Sequence, residues 1–254
     1  METTNRTSPW LITPRPDADA RLRLFCVPYA GGGASMYRGW AHRLPAGVEV
    51  NAVQLPGREE RFREEPARRL DDVVARLGSV LAGRTDRPYA LFGHSMGSLL
   101  AFETARWLRA EGCPAPEFVI VSGRGAAQIT PPWPAIHHLP EEEFVQRVME
   151  MHGTPAWVFE DQQLRAMVVR TLRADLAVVD TYRYRNEAPL PYPITAFTSP
   201  GDRLAPIEHV HAWAEQTTAG FRCHEIEGGH FFLRDNAETF LSVLNSELEA
   251  RLSS

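Results

Sequence analysis

An α/β fold with a mostly parallel central sheet, flanked by helices and carrying an inserted helical lid, is what this 254-residue sequence predicts. Three observations carry that reading. Short apolar runs alternate with helical periodicities through most of the chain, the pattern of a parallel sheet whose strands are joined by crossover helices. Two of those runs, RLRLFCV and YALF, end in small-residue turns, PYAGGG and GHSMG. The alternation then breaks between residues 126 and 191, where no convincing strand occurs, and resumes afterwards.

In chain order, residues 1–20 hold several Pro, Asp and Thr with little periodicity and read as an arm loosely attached to the surface. Arg21 to Val27 is a buried strand, closed by the glycine loop Pro28 to Gly33. ASMYRGWAHRL forms a short helix before Pro45, and Val48 to Leu55 is a second strand stopped by Pro56-Gly57. Leu70, Val73, Val74, Leu77, Val80 and Leu81 recur at helical spacing and lead into the strand Tyr89 to Phe92. A helix begins after the G-x-S-x-G segment, and Phe118 to Gly123 is the next strand. The lid segment opens with ITPPWPAIHHLP and continues in two helices, about Glu141 to Met151 and Asp161 to Tyr184, each with one apolar face. Trp133, Phe144, Met151 and Trp157 are its candidates for lining a pocket. Strand Ile194 to Ser199, a helix from Ile207 to Gln216, strand Phe221 to Gly228 and a helix from Asn236 to Leu252 complete a single domain over 1–254.

Composition narrows the function classes. The formal net charge is −5, and no stretch interleaves basic and aromatic residues, so nucleic acid is not the expected partner. No apolar run reaches the roughly 18 residues of a membrane span, and no signal peptide is visible; a cytoplasmic protein is expected. The three cysteines, Cys26, Cys113 and Cys223, lack metal or redox spacing. All 27 basic residues are arginine, which excludes a Schiff-base lysine.

The chemistry gathers on Gly93-His94-Ser95-Met96-Gly97. A strand that turns into a helix through G-x-S-x-G pushes a serine hydroxyl outward, the posture of a nucleophile. Neutral serine needs a general base, and the base needs an acid to hold its tautomer. In elbow hydrolases those follow in the order acid then histidine, on loops after later strands. Asp202 is the only carboxylate in the loop after strand ITAFTS, and His230 follows strand FRCHEIEG. Intervals of 107 and 28 residues separate the three. Developing oxyanion charge needs amide donors. Met96, at the start of a helix, offers one, and the PYAGGG loop the other: the amide of Ala30, with Tyr29 and Gly31 as neighbouring alternatives. His94 flanks the serine and is expected to point away from the catalytic side, as a pocket wall or as packing. The remaining histidines read as packed or surface residues, and no metal site is expected.

With these residues in place, the chain resembles the type II thioesterases of polyketide and nonribosomal-peptide synthases, stand-alone editing enzymes of the α/β-hydrolase fold. The likeness runs from about Leu24 to Leu241 and rests on PYAGGGASMY, VNAVQLPGREERF, LFGHSMGSLLAFE, the lid stretch HGTP (152–155), AWAEQTT and GGHFFL. It implies Ser95, Asp202 and His230 as the triad and the amides of Ala30 and Met96 as the oxyanion hole, with no metal or bound cofactor. It also implies a substrate held as a thioester on the phosphopantetheine arm of an acyl or peptidyl carrier domain. The acid loop departs from the family pattern: Ser199 and Ala205 stand where Gly and a branched apolar residue are frequent. Arg58, Arg61, Arg63, Arg68 and Arg69 form a basic cluster that is a candidate for receiving an acidic carrier, but the interleaved glutamates favour a solvated mixed-charge face instead. A carboxylesterase for small esters and a non-catalytic binding module are the competing functions.

Overall fold

The computed structural model describes residues 8–151 and 153–253. Its sheet has seven strands: β1 (Leu11–Ile12), β2 (Leu22–Val27), β3 (Val48–Val53), β4 (Tyr89–His94), β5 (Phe118–Ser122), β6 (Ile194–Thr198) and β7 (Phe221–Glu225). They lie in the order β1-β3-β2-β4-β5-β6-β7, parallel throughout except for β1. The α-helices are α1 (Leu70–Ala82), α2 (Met96–Ala110), α3 (Glu141–Glu150), α4 (Gln162–Asp180), α5 (Ile207–His211), α6 (Phe232–Asp235) and α7 (Ala237–Leu252). A 3-10 helix, Ala34–His42, joins β2 to β3.

Alternation along the central strands sends successive side chains to opposite faces, and both faces are covered. On one, Phe25, Val27 and Leu91 pack against Val73, Leu77, Leu99 and Leu100 of α1 and α2. On the other, Leu24, Cys26 and Phe92 meet Tyr37 and Trp40 of the 3-10 helix and Phe240, Leu244 and Leu248 of α7. Gly78 lets α1 approach α2 closely: a Cβ there would stand 2.2 Å from the Trp107 ring.

This topology also places a site. From β2 the chain crosses to β3 on one side, whereas β4 lies on the other side of β2 and continues outward to β5. The loops after β2 and β4 therefore diverge, and open α/β sheets bind ligands in the crevice at such a switch point. Between β5 and β6, α3, the 3-10 helix Ala156–Phe159 and α4 form a separate apolar cluster containing Ile136, Phe144, Val148, Val169, Leu172 and Leu176.

The N-terminal segment differs from expectation. Residues 1–7 lie outside the described residues, but the chain from Trp10 is tied to the sheet rather than loose. Leu11 is buried opposite Val53, Gln54 N donates to Trp10 O at 2.8 Å, and the Arg61 guanidinium covers the Trp10 ring at 4.6 Å. A two-residue strand is too short to show a period, which is why its sequence reads as irregular.

Candidate active site

Ser95 stands between the last residue of β4 and the first of α2, with φ 53° and ψ −115°. Such a backbone is unfavourable for an L residue, by roughly 1–3 kcal/mol, and persists only where its surroundings enforce it. Here they do. A Cβ on Gly93 would lie 2.0 Å from Gly97 O, and one on Gly97 would lie 2.2 Å from Val27 O, so neither glycine admits a side chain. Ser95 N donates to Ser122 O (2.8 Å), and Ser98 Oγ sits within 2.9 Å of the Gly93 and Ser122 carbonyl oxygens while accepting from Ser122 N.

The half-buried hydroxyl meets the two loops that the chain order singles out. His230 Nε2 is 3.0 Å from Ser95 Oγ, and His230 Nδ1 is 2.8 Å from Asp202 Oδ2. The other oxygen of Asp202 accepts from Leu204 N and Ala205 N, at 2.9 and 3.2 Å, which fixes the carboxylate's orientation. Ser199, one of the departures from the family pattern, bonds through its hydroxyl to Gly228 O and so ties the acid loop to the histidine loop. Gly201 has to be glycine here, since a Cβ would come 2.3 Å from the same carbonyl.

On the other side of the serine is the loop after β2. Gly31 N donates to Asp175 Oδ2 at 2.7 Å and Gly32 N to Tyr29 O at 2.9 Å. Among the described residues the amides of Ala30 and Met96 have no hydrogen-bond acceptor, and both residues border the cavity in front of Ser95. Asp175 belongs to α4 and is buried; its two oxygens also accept from Arg58 in a bidentate pair, both bonds 2.7 Å, and Arg58 reaches on to Gly32 O at 3.0 Å. The glycine loop is thus clamped to the helical insertion by an ion pair that the sequence reading missed.

That clamp corrects the reading of the arginine cluster. Arg58 and Arg61 are buried, Arg58 on Asp175 and Arg61 on Glu64 and the Gln54 carbonyl, so neither is a solvated docking charge. Arg63, Arg68 and Arg69 do face solvent.

His94 takes the packing alternative, but against the catalytic histidine rather than away from it. It is fully buried, with Nδ1 2.9 Å from Ser122 Oγ, and its ring packs beneath His230 at a centroid distance of 5.1 Å. Gly123, at φ 58°, leaves the room: a Cβ there would be 2.5 Å from the His94 ring. Burial, reinforced by His230, pulls the His94 imidazole well below its ordinary value, so it is neutral near pH 7. A histidine buried neutral contributes its full stability above the unfolded value near 6.5, and loses it as acid protonates the unfolded chain first. Denaturant unfolding should therefore lose up to about 1.4 kcal/mol per pH unit below that point from this residue. His94→Asn should flatten that acid limb; an identical limb in the variant would assign the titration elsewhere.

The cavity facing Ser95 encloses about 680 Å³. Apolar side chains from the insertion, among them Val148, Met151, Val158, Val168 and Leu172, line it together with Phe231. Of the four pocket candidates, Trp133 and Met151 border this cavity. Phe144 is instead buried inside the helical cluster, and Trp157, 60% exposed, faces solvent. Periodicity identified the apolar faces but not which of them turns toward Ser95. His152, in the HGTP stretch, lies outside the described residues.

Comparison with known proteins identifies the family. A family model for the thioesterase domain matches residues 22–248. The chain is 39% identical to linear gramicidin dehydrogenase LgrE of Brevibacillus parabrevis, over 96% of this chain and 94% of that protein. It is 36% identical to the gramicidin S biosynthesis protein GrsT of Aneurinibacillus migulanus, over 98% and 97%. Among solved structures, the type II thioesterase BorB from the borrelidin biosynthetic cluster superposes with a TM-score of 0.85 at 35% identity, over 97% of this chain and 99% of that one.

Proposed function

The chain belongs to the thioesterase domain family, and on that premise we propose that it hydrolyses acyl thioesters held on the phosphopantetheine arm of acyl or peptidyl carrier domains, clearing stalled or aberrant chains from polyketide or nonribosomal-peptide assembly. The observation that carries this reading is the Ser95–His230–Asp202 hydrogen-bond chain, set in the wall of a largely apolar cavity of about 680 Å³.

In the proposed cycle, Ser95 Oγ attacks the thioester carbonyl while His230 Nε2 takes its proton. Asp202 holds His230 with Nδ1 protonated and stabilises the imidazolium. The amides of Ala30 and Met96 receive the oxyanion; Gly31, whose amide is bound to Asp175, is the weaker alternative. Collapse releases the carrier thiol, protonated by His230, and leaves acyl-Ser95. Water, deprotonated by the same histidine, then frees the acid. No metal or bound cofactor enters this scheme. The dehydrogenase name of one relative is not carried over: the loop after β2 reads GGGASM, which lacks the G-x-G-x-x-G spacing of a dinucleotide site, and a 3-10 helix follows it. Three free cysteines and the absence, among the described residues, of any helix long and apolar enough to cross a membrane support a cytoplasmic placement.

The test compares kcat/KM on acyl-pantetheine thioesters with that on p-nitrophenyl esters of the same acyl group, alongside labelling by a serine-directed phosphonate. Faster thioester turnover with label on Ser95 is expected. Much faster ester turnover would favour a carboxylesterase, and failure to label Ser95 a binding module.

A further inference from the structure

One charged group in the cavity has no role in the scheme above. Arg124 follows β5 by two residues, is 6% exposed, and borders the same cavity as Ser95. Its backbone is anchored, with the carbonyl accepting from Trp213 Nε1 at 2.8 Å. Its guanidinium, by contrast, has neither an ion pair nor a hydrogen bond among the described residues, and its contact is the Trp133 ring 5.9 Å away. Asp180, whose charge acts on Arg124, is not within ion-pair distance, and its Oδ2 accepts from the amides of Ile136 and His137 and from His137 Nδ1. Tyr182, the other ionisable neighbour, donates its hydroxyl to Glu103. Burial lowers the Arg124 pKa to about 10, which still leaves it charged at neutral pH.

An unpaired buried cation is costly, and proteins keep such groups where a ligand completes them. Arg124 leaves the strand end that holds the serine turn: Ser122, two residues earlier, accepts the Ser95 amide, and Arg124 and Ser95 border one cavity. A guanidinium nine-tenths buried at this cavity, without an ion pair or hydrogen bond, is available to whatever enters it.

Resting on the thioesterase reading, we propose that Arg124 is a specificity-determining residue that recognises an oxygen on the acyl chain, a carboxylate or keto oxygen a few bonds from the thioester carbonyl. Five N–H donors in a planar fork suit such an acceptor, and the surrounding apolar wall strengthens the bond. Chains bearing that oxygen are the favoured substrates over plain alkyl chains of equal size.

The experiment measures kcat/KM for butanoyl-, acetoacetyl- and malonyl-pantetheine, three acyl groups of similar size, on the wild-type chain and on Arg124→Met and Arg124→Gln. Intrinsic reactivity differs among them, so the readout is how each oxygen-bearing/butanoyl ratio changes on substitution. That ratio should fall about tenfold or more, as expected for a charge-assisted bond. A fall for malonyl alone assigns the carboxylate, and a fall for both assigns any oxygen at that position. Thermal melting supplies a second readout: Arg124→Met, which removes an unpaired charge, should leave Tm unchanged or raised. Unchanged ratios, including an equal loss on all three substrates, or a lowered Tm without a ratio change, overturn the proposal. Butanoyl turnover separates the two readings: if wild-type protein hydrolyses it with ratios that substitution does not alter, only the Arg124 assignment fails. Absence of turnover on all three sinks the thioesterase reading and this one with it.

Discussion

Ser95→Ala should lower kcat for acyl-thioester hydrolysis by about 10⁵- to 10⁶-fold, and His230→Ala by a similar amount, because each alone disables the covalent step. The double variant should be no slower than either single one. Serine without base is a neutral alcohol, and base without serine has nothing to deprotonate, so the second substitution removes an interaction already lost. Asp202→Asn should cost about 10⁴-fold with folding intact, since an amide in place of the carboxylate no longer enforces the tautomer with Nδ1 protonated. The Asp202 oxygen that accepts from Leu204 N and Ala205 N holds the loop, so circular dichroism and melting must accompany the kinetics. Single-turnover assays on an acyl-pantetheine check all three, and a near-normal rate in Asp202→Asn would show that another group orients His230.

Local chemistry accounts for what was legible in the sequence. Each central strand is a short apolar run ended by glycine or proline, so strand ends could be counted, and residues placed just past them fall on one edge of a parallel sheet. Ser95, Asp202 and His230 are such residues, and the structure sets them within hydrogen-bond distance of one another. What was not legible depends on partners far along the chain. Arg58 reads as a surface charge among glutamates; its burial is decided by Asp175, 117 residues away on a helix whose own face reads as apolar. The register of α4 against the glycine loop is a tertiary fact without a local signature. Arg124 is similar: nothing in SGRG says that the side chain turns inward. His94 reads as pocket wall or packing; that it packs, and against His230, is set by the space that Gly123 leaves and by a bond to Ser122, both on the neighbouring strand's end.

The ion pair between Arg58 and Asp175 leads to the second large effect, and it separates stability from activity. Asp175→Ala should cost about 3–5 kcal/mol in denaturant unfolding, since it leaves a buried guanidinium without its counter-ion. The same substitution should lower kcat by about 10- to 100-fold with a smaller change in KM. Gly31 N loses its acceptor, α4 loses its grip on the loop, and the Ala30 amide proposed to meet the oxyanion is no longer held in place. Replacing both partners with apolar residues, Arg58→Met with Asp175→Leu, should recover most of the stability, because a buried pair is often matched by a well-packed apolar one. It should not recover kcat, because no acceptor is returned to Gly31. If the double variant regained both stability and rate, the pair would be packing alone. If it regained stability only, Asp175 would be the point where the helical insertion sets the geometry of the oxyanion loop, so that movement of α4 would change the rate of acyl transfer without touching Ser95, His230 or Asp202.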